Sequence, residues 1–494
     1  YSISSIKAAS LLSDPLPKLY RSYVKAGLGS NSTPLLELSI ANHRSKKGAI
    51  GFYARHYSSN GRVPLENKQR VFAGLMDNDA TIFGKRFFRK NLLDLSSNFT
   101  QKIRYAYGYD TEIMLFEPFK KDVRLGYNDI GAAASFSSLN LDSADFSYDF
   151  DISYDFFHNT RDRTMNHTGF SGEMAKLFEG FYVGSDLKFD HYKLSDSLYL
   201  KPKYIFSVNP FLRKSTEQWN FNLGVKLAVE KNLASTRLHF YPDVNFGFTI
   251  VPEYMRFFAA LGGKLENNDP LGVISENPYL VPDGSLFRVP NTDYSLVFSA
   301  GLKGNNGIGG NYSVSVSYSL INDLLLYSNI VFPDTLSRIE RGNHFIVVPD
   351  DAEVLNLHGE LSGIITNKLS FHSVANYYKY TLSANEFAWN RPNWDFTTGL
   401  NYNLRNKIIA GAEFTALGKR RLMSSQSPTG WMTLSHLVID KPAHLNLGLS
   451  VEYRYTKILS FWVKVNNISY NRYYEWAYYP SQMFNFMFGF SYSL

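Results

Sequence analysis

Asp145, Asp149, Asp151 and Asp155 crowd into one short segment. Residues two apart on a strand share a face, so a strand here carries a carboxylate stripe on one side. The other side is apolar: Phe146, Tyr148, Phe150, Ile152, Tyr154 and Phe156. A stripe of this kind can bind cations or a basic partner. It can equally pair with Arg and Lys on neighbouring strands, for which Lys188 and Arg124 are available. His167 with Ser171, and His372 with Ser373, are the spacings closest to a hydrolase pair. Nucleophilic catalysis also needs a third group that orients the histidine, and nothing in the sequence marks one. The glycines from Gly304 to Gly310 lack the following helix and the Lys-Ser/Thr of a phosphate loop. With no cysteine there is neither a thiolate metal site nor a disulfide framework. No catalytic, cofactor or metal residue is assigned, and the chain reads as a non-enzyme.

The element that must carry the stripe recurs along the chain. Trp219, Phe221, Leu223, Val225, Leu227 and Val229 alternate with polar or small residues. Tyr312, Val314, Val316, Tyr318 and Leu320 alternate with serines. Leu445, Leu447, Leu449, Val451, Tyr453 and Tyr455 alternate with Asn446, Gly448, Ser450, Glu452 and Arg454. Each run is about ten residues, the length of a tilted strand that crosses a bilayer. A soluble β-sandwich also alternates, but its outer face is richer in Lys and Glu and its strands are shorter.

Composition agrees. Of 494 residues, 16% are aromatic, which suits girdles at two membrane interfaces. Mean hydropathy is −0.23 and no run of about 18 apolar residues occurs, which excludes helical spans but not a barrel. The net charge of +7 reads as rim charge in turns such as Arg44-Ser45-Lys46-Lys47. No basic–aromatic stripe points to nucleic acid. Residues 1–10 show no charged segment followed by an apolar core.

The end of the chain is the strongest strand. Phe484, Phe486, Phe488, Phe490, Tyr492 and Leu494 occupy one face, a candidate C-terminal assembly signal. Exposed in water this face would aggregate, whereas in lipid it is what an outer strand requires. With the C-terminus in the periplasm, the alternation predicts an all-β transmembrane antiparallel barrel over 19–494, preceded by a linker over 1–18. Roughly 22 strands are expected, 20–22 being the favoured range, with short periplasmic turns and long extracellular loops. The long outer segments are 59–80, 107–121, 267–292, 322–352, 380–391, 419–436 and 469–481. In the last of these, Tyr473, Tyr474, Trp476, Tyr478 and Tyr479 are candidate extracellular contacts.

The stretch 441–494 resembles the end of a TonB-dependent transporter barrel of Bacteroidetes type. The likeness rests on Leu445, Leu447 and Leu449, on Val465-Asn466-Asn467-Ile468, on the aromatic loop 473–480 and on the Phe-rich last strand. Phe83-Gly84-Lys85-Arg86-Phe87-Phe88 is similar to a turn of such barrels, while Leu494 departs from the family's aromatic last residue. The resemblance implies a bacterial outer-membrane conduit for a solute or macromolecule. It implies outer-membrane lipids and lipopolysaccharide as surroundings and barrel assembly machinery during biogenesis. Family members carry a plug of well over a hundred residues ahead of the barrel, and here only the linker is expected there. The bore is therefore expected to be occluded by a plug domain lying upstream, by a separate partner protein such as a periplasmic or surface lipoprotein, or by infolded long loops such as 267–292 and 322–352. The alternative is a plugless structural subunit of an outer-membrane assembly or secretion complex. On either reading the apolar residues of 322–352 should pack onto a wall or a partner.

Overall fold

The computed structural model describes residues 20–42, 45–109, 111, 119–139, 146–195, 202–232, 235–280, 289–307, 309–331, 341–426, 435–468 and 472–494. The linker 1–18 and Asp145 lie outside the described residues.

Period-two alternation leaves each strand with one apolar and one polar face, and a closed wall satisfies both. Among the described residues, twenty-four strands share one sheet. Two of these, Arg420–Gln426 and Ser435–Lys441, form a hairpin above the mouth, and the other 22 make a closed antiparallel barrel. The first strand, Ser22–Gly29, lies antiparallel to the last, Asn485–Ser493, with Tyr23 opposite Ser493 and Gly29 opposite Met487. Closure removes every edge, which a bilayer demands because lipid offers backbone groups no partner. Among the described residues no helix is long and apolar enough to cross a membrane. The chain is an integral barrel of the outer-membrane type.

Exposure identifies the lipid face. Ile50, Ile82, Leu95, Ile130, Ile152, Leu238 and Phe488 are exposed on the outside of their strands. Their alternates, such as Arg55, Asp79 and His167, join polar networks inside. Short turns gather at the periplasmic end. At one, Arg405 and Asn406 take φ of 52° and 55°, the paired left-handed residues of a tight hairpin. The segment around Ile82 belongs to a full strand, Leu75–Phe87.

One expected loop is mostly strand. Asn311–Val331 runs for 21 residues and Arg341–Thr366 for 26, so they pair far above the wall. The register shifts between Ile321 and Leu324, where Asp323 has φ of 56°. This bulge breaks the alternation without ending the strand. Of the apolar residues beyond it, Leu324, Leu325 and Leu326 are buried, together with Phe345, among this chain's own outer segments rather than on a partner.

Candidate functional site

The principal apolar core lies at the mouth rather than in the wall. Buried residues from several outer segments form one cluster, among them Val63, Tyr107, Tyr127, Tyr279, Phe345 and Tyr479. A hairpin pairs Tyr474–Trp476 with Tyr479–Pro480, and Tyr478 at its turn has φ of 65°. The Trp476 ring stands edge-on to Tyr327 at 5.2 Å and to Phe345 at 5.5 Å. Tyr479 stacks on Tyr279 at 3.9 Å and tilts against Tyr107 at 4.9 Å. The Tyr107 hydroxyl donates to the Pro480 carbonyl at 2.9 Å. Segments hundreds of residues apart thus meet in one aromatic cap.

Two charged groups pin the cap. Arg420 donates to Asn390 Oδ1 at 3.0 Å, to the Glu475 carbonyl at 3.2 Å and to the Tyr474 carbonyl. Its guanidinium lies 4.7 Å from the centre of the Tyr473 ring. Glu276 closes the short helix Pro270–Glu276, which starts where Asp269 caps Gly272 N at 2.7 Å. Its carboxylate accepts from the Tyr327 hydroxyl at 2.8 Å and from Arg391 at 3.3 Å, and Arg391 also holds the Leu325 carbonyl at 2.9 Å. Neither Arg420 nor Glu276 is marked in the sequence, because their partners are carbonyls and hydroxyls of distant loops.

The aromatic residues singled out in 473–479 therefore act mainly on other loops. Trp476, Tyr478 and Tyr479 are buried in the cap, and Tyr473 and Tyr474 are half-buried against Arg420 and Lys441. Beneath the cap is a cavity of about 420 Å³, whose lining includes Tyr57, Tyr107, His444, Glu475 and Gln482. Enclosure raises the Glu475 carboxyl above its ordinary pKa, opposed by the charges of Arg104 and Arg420.

Below lies the lumen wall. The acidic stripe faces inward on Ser147–Asn159, but its partners differ from those expected. Asp155 meets His167 Nδ1 at 3.1 Å, and His167 Nε2 meets Asp190 at 3.0 Å. Asp149 accepts from Ser135 and Asp151 from Ser171, each at 3.3 Å. Lys188 pairs with Asp190 instead, at 3.2 Å. Arg124 is on the outer face, because inward positions on its strand are odd-numbered, as buried Leu125 and Tyr127 show. His167 and Ser171 thus serve neighbouring carboxylates and do not contact each other as a catalytic pair would. His372 lies near Glu360 at 3.9 Å, and Ser373, on the opposite face, bonds Thr398 at 2.7 Å. Elsewhere Asn209 donates to both Asp186 and Asp243 at 3.0 Å, and Arg104 grips Asp77 with two bonds of 2.7 and 3.2 Å. On the wall across the barrel seam is a space of about 650 Å³ between Lys25, Glu37, Arg55, Glu413, Glu452 and Trp462. Among the described residues no set of three or more His, Asp or Glu is arranged to hold a metal ion. The last-strand aromatics Phe484, Phe486, Phe488 and Phe490 are exposed on the lipid face. Tyr492 shares that face opposite Val24, and Leu494 is exposed at its end.

No family model and no curated protein sequence matches the chain. Solved structures do. The siderophore receptor PirA from Acinetobacter baumannii superposes with a TM-score of 0.71 at 10% identity, over 97% of this chain and 81% of that one. The ferric-catecholate import receptor Fiu from E. coli K12 gives 0.69 at 10% identity, over 97% and 82%. The copper transporter OprC gives 0.67 at 14% identity, over 97% and 84%. At such identities the likeness shows the fold alone, a closed 22-strand antiparallel barrel like those of these receptors.

Proposed function

We propose that the chain is the barrel of an outer-membrane importer of the TonB-dependent kind, and that its extracellular loops form a lid over a polar lumen. The observation that carries this reading is the interlocked aromatic cap above a bore lined by charged and polar side chains. A barrel of this size needs its bore occluded, since barrels of 16–18 strands already hold open channels. The cap supplies occlusion from outside. A plug or partner protein supplies it from the periplasmic side and couples opening to energy. The matched receptors extend beyond the region this chain covers, which leaves room in their architecture for such a domain. Import receptors and a copper transporter among the structural neighbours support passage of a solute through the barrel. The last strand, with Phe484 to Leu494, is read by the assembly machinery during insertion. A Bacteroidetes-type source is consistent with the residues of 441–494.

The test is entry of a large antibiotic. Cells of a heterologous host that make this chain alone, without a plug or partner protein, should become sensitive to vancomycin when residues 473–481 are replaced by a short Gly-Ser linker, while cells with the native chain stay resistant. Unchanged resistance with normal surface levels of the altered barrel would reject the lid.

A further inference from the structure

The outside of the barrel carries a polar row where lipid-facing positions are otherwise apolar. His56, Asn78, Gln101 and Asn128 lie directly opposite one another on four adjacent strands. All point outward, since they share parity with exposed Ile50, Ile82, Leu95 and Ile130. They are joined into a chain: His56 Nδ1 to Asn78 Oδ1 at 2.6 Å, Asn78 Nδ2 to Gln101 Oε1 at 2.8 Å, and Gln101 Nε2 to Asn128 Oδ1 at 2.8 Å. The next residue inward toward the midplane on each strand is apolar, namely Ala54, Ala80, Phe99 and Ile130, again opposite one another. The row therefore marks the outer edge of the hydrocarbon, at head-group depth.

The bonding is one-directional. Each bridging amide spends one N–H on its neighbour, which leaves a second N–H on Asn78 and Gln101 and both on Asn128. Just above, Arg124 is exposed and folds down over Gly126, its Nη1 only 3.7 Å from where a Cβ would stand there. Arg124 makes no ion pair among the described residues. Ordered N–H donors with a free guanidinium above them match an acceptor-rich, negatively charged group. At this depth such a group belongs to a lipid of the outer leaflet.

We propose that this row is a binding site for the phosphorylated-sugar head group of an outer-leaflet glycolipid, with Arg124 on a phosphate and the amides of Asn128, Gln101 and Asn78 on sugar oxygens. The site rests on the outer-membrane reading and is independent of what the barrel transports.

The experiment is native mass spectrometry of the delipidated full chain in detergent, titrated with lipid A or with phosphatidylglycerol. Lipid A should bind about tenfold more tightly than phosphatidylglycerol, and Arg124→Ala with Gln101→Leu should abolish that preference. Arg124→Ala alone, which alters one exposed side chain, should remove most of it and guards against misfolding of the double variant. Migration of unboiled protein as a folded barrel shows separately that the outer-membrane reading stands. Equal binding of the two lipids by the native chain would overturn the site. So would an undiminished preference in a folded Arg124→Ala protein.

Discussion

Trp476 illustrates what single residues contribute here. It is buried between Tyr327 and Phe345, which come from the two tall strands. Truncating a buried tryptophan costs about 3–5 kcal/mol. Trp476→Ala should therefore speed hydrogen exchange of the outer loops by orders of magnitude and leave the wall protected. Glu475 adds a pH dependence. Its pKa is raised by enclosure, so closing the cap takes up a proton. That contribution is fully present below the free-carboxylate range and is lost as pH rises through the raised value. Loop exchange should quicken over this window, and Glu475→Gln should flatten the response. The aromatic residues of the hairpin stood out in the sequence as a cluster. Their partners Tyr107, Tyr279 and Phe345 did not, because contacts across such separations leave no local pattern. The acidic stripe was legible as an inward face, yet its partner His167 was not, since pairing depends on which strand lies alongside and in what register.

At the scale of elements, alternation was enough to find most wall strands and the turns between them. It misled at 322–352, where the bulge at Asp323 shifts the phase and the strand continues. The seam between first and last strands makes the sharpest demand on sequence. A Cβ on Gly489 would fall 2.0 Å from the Ala26 carbonyl and 2.7 Å from the Trp462 ring. Gly489→Val should keep the seam from closing, and unboiled protein should then lose its compact migration on gels. On the same strand Phe488 faces lipid, opposite Leu28 on one side and Val463 on the other. Phe488→Arg should cost roughly 2–4 kcal/mol and lower insertion, whereas Asn485→Arg, on the inner face, should insert normally. Equal loss for both variants would mean the faces are reversed.

At the scale of the molecule, a closed wall of 22 strands surrounds a bore lined by ion pairs and amides, and loops from around the rim interlock above it. Wall and cap are stabilised differently. The wall rests on a continuous backbone ladder, and the cap on aromatic contacts and a few charged pins. The cap should therefore open in conditions that leave the barrel intact, as a lid must. Single-channel conductance of the purified chain in planar bilayers tests this most directly. The native chain should show small, mostly closed currents, and the double variant Trp476→Ala, Arg420→Ala should show a large, long-lived open pore with its barrel still folded. Equal conductance of the two, whether both open or both closed, would contradict the cap as the element that shuts the mouth.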